Sequence, residues 1–259
     1  MENNWLNIIT TIIAVLAFLQ PWAIKIFNCY FRKLELKFLP STKIKIYYNR
    51  SGAYIYLGGV LESKNHSSVI SNVSVKIIRN NDKAELNLIW SSFIVPVFQS
   101  IAGNAITTSE IARPFKVEAN SLYPVFIEFD LVDKDEKDKL LDIYNQMGVE
   151  INQNVQSETT SMKLKETIKE TSLYEESREK LLSNFYWKET NYTLELVINY
   201  NDNKQKKYIY EFQITSDEHE KLKENIEKSL LSIIDEAYRI PLNLFCLQKD
   251  FHFIEERTN

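Results

Sequence analysis

One uncharged apolar run near the start constrains everything else. From Asn3 to Ile24, roughly 22 residues pass without a charged side chain, and about 20 mostly apolar residues at about 1.5 Å rise each make a helix long enough to cross a bilayer. The run belongs to Trp5–Phe31, WLNIITTIIAVLAFLQPWAIKIFNCYF. Two rival readings stand beside a membrane span. A cleaved signal peptide wants a basic start and a small-residue cleavage site, but the chain opens Met1-Glu2-Asn3-Asn4 and shows no A-x-A pattern after the run. A buried core helix is usually shorter and bounded by caps. The expectation is therefore a transmembrane anchor over residues 1–31 and a polar body over 32–259.

Several residues define how such an anchor sits. Trp5 and Trp22 fall near its two ends, where indole rings favour the membrane interface. Pro21 lacks a backbone donor and predicts a kink or an end there. Lys25, Arg32 and Lys33 follow the run, whereas Glu2 and the terminal amine precede it. The side richer in Lys and Arg stays cytoplasmic, which predicts the N-terminus outside and the body inside, with Lys25 snorkelling to the headgroups.

Composition narrows the chemistry. The net charge is −4 and the bases are scattered, against the basic stripe that a nucleic-acid surface shows. Cys29 and Cys246 are far apart, and a cytoplasmic body predicts free thiols; Cys29 at the membrane edge is also a place for acylation, with plain filler as the simpler reading. His66, His219 and His252 lack metal-ligand spacing. There is no P-loop, G-x-G-x-x-G or G-x-S-x-G, and only five glycines are present. Asp130, Asp133, Asp135 and Glu136 are interleaved with Lys134, Lys137 and Lys139, as on a solvated helix face. No catalytic residue, cofactor or metal ligand is predicted.

Along the body, period-two alternation predicts strands at Leu34–Leu39 and Lys43–Tyr48 with a turn at Pro40-Ser41-Thr42. Further strands are predicted at Ala53–Leu61 with a bulge at Gly58-Gly59, and at Val69–Ile78. Glu85–Trp90 and Phe93–Phe98 read as short strands or one bent strand, and Ala112–Glu118 and Val125–Val132 complete the run. Tyr47, Tyr48, Tyr54 and Tyr56 lie at strand spacing, as a packing pattern or a stacking platform. A helix follows from about Asp133, ended by Gly148, then a polar stretch Asn152–Thr160, then one helix over Met162–Phe185. Tyr192–Tyr200 and Lys207–Ile214 form the clearest hairpin. Thr215-Ser216-Asp217-Glu218 fits a capping box opening an amphipathic helix that Pro241 ends. The tail Leu242–Ile254 is apolar; packing on its own domain is the commonest place for such a stretch, with the bilayer or a partner as alternatives, and Phe245, Phe251 and Phe253 are the candidate partner contacts.

The phrase Ala112-Arg113-Pro114-Phe115-Lys116-Val117-Glu118, a turn, then Tyr123-Pro124-Val125-Phe126-Ile127-Glu128-Phe129 resembles a late strand pair of immunoglobulin-like sandwiches. The loop Lys64–Ser68 before an alternating strand does so too, although there is no Cys…Trp…Cys core. Phe18-Leu19-Gln20-Pro21-Trp22 resembles the starts of uncharacterised bacterial membrane-anchored proteins. The second resemblance implies a location and no activity. Together with the residue patterns, the expectation is a mainly β protein with α: an N-terminal transmembrane helix, an immunoglobulin-like β-sandwich, a helical insertion at about 133–190, flanked by strands of one style, and a C-terminal helix at about 216–239. The expected role is non-enzymatic binding at the cytoplasmic face, with the lipid bilayer and a protein partner or second copy as its contacts. The alternative is an oligomerising effector of a bacterial defence system that disturbs the bilayer, in which Gln20, Thr10 and Thr11 hydrogen-bond between helices.

Overall fold

The computed structural model describes residues 3–101, 104–131, 134–155, 160–201 and 204–258. Helix α1 (Asn3–Phe31) comes first, and its Ile8–Phe27 segment is long and apolar enough to span a membrane, with no part of it covered by the rest of the described chain. The helix runs through Pro21, so the expected end there is not seen. One missing N–H leaves the hydrogen bonds of the neighbouring turns in place, and apolar spanning helices tolerate it.

Among the described residues eleven strands follow in chain order: β1 (Glu35–Asn49), β2 (Gly52–Lys64), β3 (Ser68–Arg79), β4 (Glu85–Ile101), β5 (Asn104–Ile111), β6 (Phe115–Val117), β7 (Ser121–Leu131), β8 (Thr190–Tyr200), β9 (Lys204–Ile214), β10 (Leu247–Asp250) and β11 (His252–Thr258). They join into one sheet, ordered β10-β1-β2-β7-β4-β3-β8-β9-β11, with β5 on β4 and β6 on β3. The coarse expectation of a mainly β body holds. The sheet, however, is a single curled one, nearly a barrel, where a sandwich has two stacked sheets. Its two ends are consecutive pieces of one tail: β10 pairs with β1 and β11 with β9. The apolar C-terminal stretch thus packs on its own body and fills the seam.

The predicted turn at Pro40-Ser41-Thr42 is a bulge inside β1, and both halves of β1 pair with β2. Between the pairs Pro40↔Gly59 and Ile44↔Leu57, β1 has two more residues than β2. Inserting two residues keeps the side-chain alternation in phase, so Leu36, Phe38, Ile44, Ile46 and Tyr48 all point into the core. The bulge predicted for Gly58-Gly59 is therefore on the strand opposite. Gly59 is still required, because a Cβ there would lie 2.5 Å from the Phe38 ring and 2.7 Å from the Leu39 carbonyl oxygen.

The helices differ in length from expectation. Helix α2 (Lys134–Val155) passes through Gly148, where open space leaves a side chain 3.6 Å from Ile233, and residues 156–159 lie outside the described part. The single helix expected over Met162–Phe185 is two, α3 (Ser161–Lys169) and α4 (Ser172–Ser183), because the Thr171 hydroxyl accepts from the Tyr174 N–H and caps a new start. Helix α5 (Ser216–Leu230) opens on the predicted capping residues, with the Thr215 N–H donating to the Glu218 carboxylate at 2.8 Å. Helix α6 (Ser232–Ala237) follows a break at Leu231. The helices gather at the far end of β1 from α1. The Tyr48 hydroxyl donates to the Leu181 carbonyl (2.8 Å), the Trp187 indole to the Tyr47 carbonyl (3.3 Å), and the Arg50 guanidinium lies 3.6 Å over the Tyr144 ring. Met147, Leu164, Leu181, Leu222 and Ile234 share one buried cluster with the sheet.

Candidate functional site

Two features stand out: the end of the barrel next to α1, and a groove on the outside of β1, β2, β7 and β4.

At the first, the backbone that leaves α1 is fastened to the loop between β2 and β3. His66 Nε2 lies 2.6 Å from the Arg32 carbonyl oxygen, so that nitrogen carries the proton and donates. Asn65 Nδ2 donates to the Lys33 carbonyl at 2.8 Å. The loop is braced in turn. The Asn65 N–H donates to Asn120 Oδ1 (3.0 Å), the Asn120 N–H to the Ser63 carbonyl (2.7 Å), and the Ser63 hydroxyl to the His66 carbonyl (2.7 Å). Asn65 and Asn120 adopt φ of 68° and 55°, the left-handed region that asparagine tolerates through local hydrogen bonding. The segment behind α1 is therefore held by the β2–β3 loop, which is locked in turn to the bend at Asn120. Arg32 and Lys33 keep their side chains exposed. Along α1, Trp5, Pro21, Trp22 and Lys25 are exposed as well; Trp5 and Trp22 stand about 26 Å apart along the axis at about 1.5 Å per residue.

The groove has a volume of about 470 Å³ and is lined by Lys43, Lys45 and Tyr47 of β1, Tyr56 and Gly58 of β2, Phe126 of β7 and Ile94 of β4. Its floor exists because Gly58 has no side chain: a Cβ there would sit 3.1 Å from the Phe126 ring and 3.3 Å from Ser41 Oγ on the β1 bulge. Tyr47 and Tyr56 meet edge to face at 5.2 Å. The Tyr56 hydroxyl donates to Glu128 at 3.2 Å, and the Ser92 hydroxyl reaches the other oxygen of that carboxylate at 2.5 Å. Burial pushes the Tyr56 phenol well above its ordinary value, and the Glu128 charge adds to this. Burial does the same for Tyr47, beside the Cys246 thiol. Both phenols stay protonated and serve as aromatic walls and hydrogen-bond donors, while Lys43 and Lys45 supply positive charge.

The three candidate contact residues of the tail separate. Phe245 is fixed by its backbone: its N–H donates to Asn225 Oδ1 (2.7 Å) and its carbonyl accepts from Asn225 Nδ2 (2.8 Å). Phe251, at the corner between β10 and β11, packs edge-on against Tyr210 at 4.8 Å. Phe253, opposite Tyr210 in the β11–β9 pair, meets that ring edge-on at 5.7 Å and is still 56 % exposed. Phe245 and Phe251 thus serve the fold, and Phe253 alone of the three is displayed.

The histidines are far from one another in their contacts: His66 on the α1 linker, His219 with Nδ1 2.7 Å from the Trp187 carbonyl, and His252 opposite Glu211. Among the described residues no group of three or more His, Cys, Asp and Glu is placed to hold a metal ion. Cys246 is a free thiol; the side chain of Cys29 and residue Asp133 lie outside the described part. Sequence reasoning grouped Tyr47 with Tyr56 as packing or a stacking platform and read Gly58 as a bulge without joining it to them; it gave no site role to Asn65, Asn120, Lys43, Lys45 or Phe126. The tyrosines and the glycine pair were the signals for the groove; for the braced loops, the turn residues at 64–68 and 120–121 marked the turns without showing that they meet. The chain matches no protein-family model, no curated protein and no solved structure.

Proposed function

We propose that this is a single-pass, membrane-anchored binding protein that is not an enzyme. Helix α1 crosses the bilayer with its N-terminus outside, and the β body stands on the cytoplasmic face. The observation that carries the reading is that Ile8–Phe27 is apolar, long enough to span, and covered by nothing else in the described chain. Exposing such a helix to water costs about 25 cal/mol for each Å² of apolar surface, which lipid removes. Arg32 and Lys33, held by the β2–β3 loop, support the orientation.

Recognition is supported over chemistry by the groove, whose aromatic walls and two lysines suit an extended acidic or aromatic segment of a protein partner or of a second copy. Phe253 is a second contact point. The pairings β3–β6 and β4–β7 support reading this part of the sheet as immunoglobulin-like, since strands B and E, and C and F, are neighbours in that fold. The bilayer-disturbing effector remains the second reading. It is favoured by the tight fastening of the body to the root of α1, through which clustering of bodies would cluster the helices.

The test is a protease-accessibility experiment on intact cells carrying one epitope at each end, with membrane fractionation. The reading expects sedimentation with membranes until detergent is added, loss of the N-terminal epitope and protection of the C-terminal one. A full-length protein found in the soluble fraction, or the reverse pattern of protection, refutes it.

A further inference from the structure

The longest uncharged run in the chain is not in α1. It extends from Leu86 to Ser109 and makes up nearly the whole β4–β5 hairpin, closed by the pair Ile101↔Asn104. The first part of β4 is barrel wall, paired with β3 through Ile89↔Ser74 and with β7 through Phe93↔Ile127. A register shift between Trp90 and Ser92 bends the strand. Beyond Phe93 the described pairing of β4 is with β5 alone, and β6 takes its place beside β3. The outer hairpin therefore leaves the wall as a two-stranded ribbon.

Such a ribbon is marginal by itself in water, and exposed edges are normally blunted with charges. Here no residue from Leu86 to Ser109 is charged. Ile111, at its root, is 85 % exposed.

The register sets the direction. Strand β4 runs antiparallel to β7, towards the level of Ser121, which pairs with Ser63, which pairs with Leu36 just behind α1. From Ile127 back to Ser121 the wall extends about 20 Å, while Phe93 to Ile101 covers about 27 Å at about 3.4 Å per residue. The ribbon is long enough to reach the rim from which α1 departs.

We propose that the β4–β5 hairpin is a second lipid contact, lying in the headgroup–acyl boundary beside α1. Lipid is chosen over a second copy because the ribbon runs towards the end where the apolar helix emerges. The depth follows from the backbone: among the described residues no further strand pairs with the ribbon's outer edges, and backbone polar groups left without a strand partner are forbidden in the hydrocarbon centre and satisfied in the wet interface. The proposal rests on α1 being a membrane span, and its test separates the two.

The full-length chain, with Cys29→Ser and Cys246→Ser, is reconstituted into vesicles of equal parts phosphatidylethanolamine and phosphatidylglycerol. Single cysteines at Ile101→Cys, Phe98→Cys or, in α1, Leu16→Cys carry an environment-sensitive fluorophore. The proposal expects blue-shifted emission at 101 and 98, loss of that emission with nitroxide-bearing lipid, and little loss with aqueous iodide. Quenching by lipid nitroxide at 16 but by iodide alone at 98 and 101 leaves α1 as a span and overturns the hairpin contact. No lipid quenching at any site overturns both. Protection of 98 and 101 from both quenchers means that protein covers the ribbon, as a second copy would, and overturns the lipid contact.

Discussion

The Tyr208 hydroxyl lies 2.9 Å from the backbone nitrogen of Phe38, and it completes the barrel where β10 has already left β1. Strand β10 pairs with β1 only from Lys43 to Ile46; the earlier half of β1 faces β9 across the seam. The phenol oxygen accepts from the Phe38 N–H and points its proton at the Leu36 carbonyl, 3.5 Å away. Burial pushes the Tyr208 phenol well above its ordinary value, so the donor is kept at any physiological pH. Replacing Tyr208 by Phe leaves a buried N–H unpaired, which costs about 1–3 kcal/mol. Thermal unfolding of the detergent-solubilised protein should show the loss, at about 2–4 °C per kcal/mol for a body of this size.

Gly59→Ala places a methyl group against the Leu39 backbone, which cannot swing aside. The expected destabilisation is about 1–3 kcal/mol from forced overpacking. Gly148→Ala is the control, because the new methyl meets Ile233 at an ordinary 3.6 Å; it should be neutral or slightly stabilising, since alanine favours a helix by up to about 1 kcal/mol over glycine. The denaturant midpoint should fall for Gly59→Ala and hold or rise slightly for Gly148→Ala.

The buried Arg79 guanidinium donates to both oxygens of Asp82 at 2.8 Å and to the Tyr186 carbonyl at 2.7 Å. Its hydrogen bonds hold the Asp82 carboxyl at about 2, below its ordinary 3.8. A carboxyl lowered by folding adds stability that is complete above the unfolded value and disappears as the pH falls through the folded one. Stability should therefore drop between about pH 4 and pH 2. Asp82→Asn should lower stability at pH 7 and flatten the curve over that interval, as read by urea unfolding at a series of pH values.

The linker behind α1 is a trypsin target, Arg32-Lys33, whose two carbonyls are held by His66 and Asn65. Asn65→Gly with His66→Ala should release that segment and speed cleavage there, with little change in the melting midpoint because glycine keeps the left-handed backbone at 65 and both lost hydrogen bonds lie at the surface. Timed digestion followed by mass spectrometry of the released body checks this.

What the sequence determined by itself was whatever depends on near neighbours. The uncharged run of α1, the alternation of β8 and β9 and the cap of α5 are properties of ten to thirty adjacent residues, and each reappears in the structure. Where local chemistry misled, a distant partner was responsible. Pro40-Ser41-Thr42 reads as a turn until β2 supplies Gly59 opposite, and Gly148 reads as a helix end until α6 leaves space beside it. The tertiary structure alone decided that Leu247–Thr258 divides its pairing between β1 and β9, that Tyr208 bridges what remains, and that Gly58 and Phe126 meet to floor a groove. Backbone N–H and C=O groups are the same in every residue but proline, so a sequence says that a strand needs partners without saying which. That choice is made only when all the edges compete for one another in three dimensions.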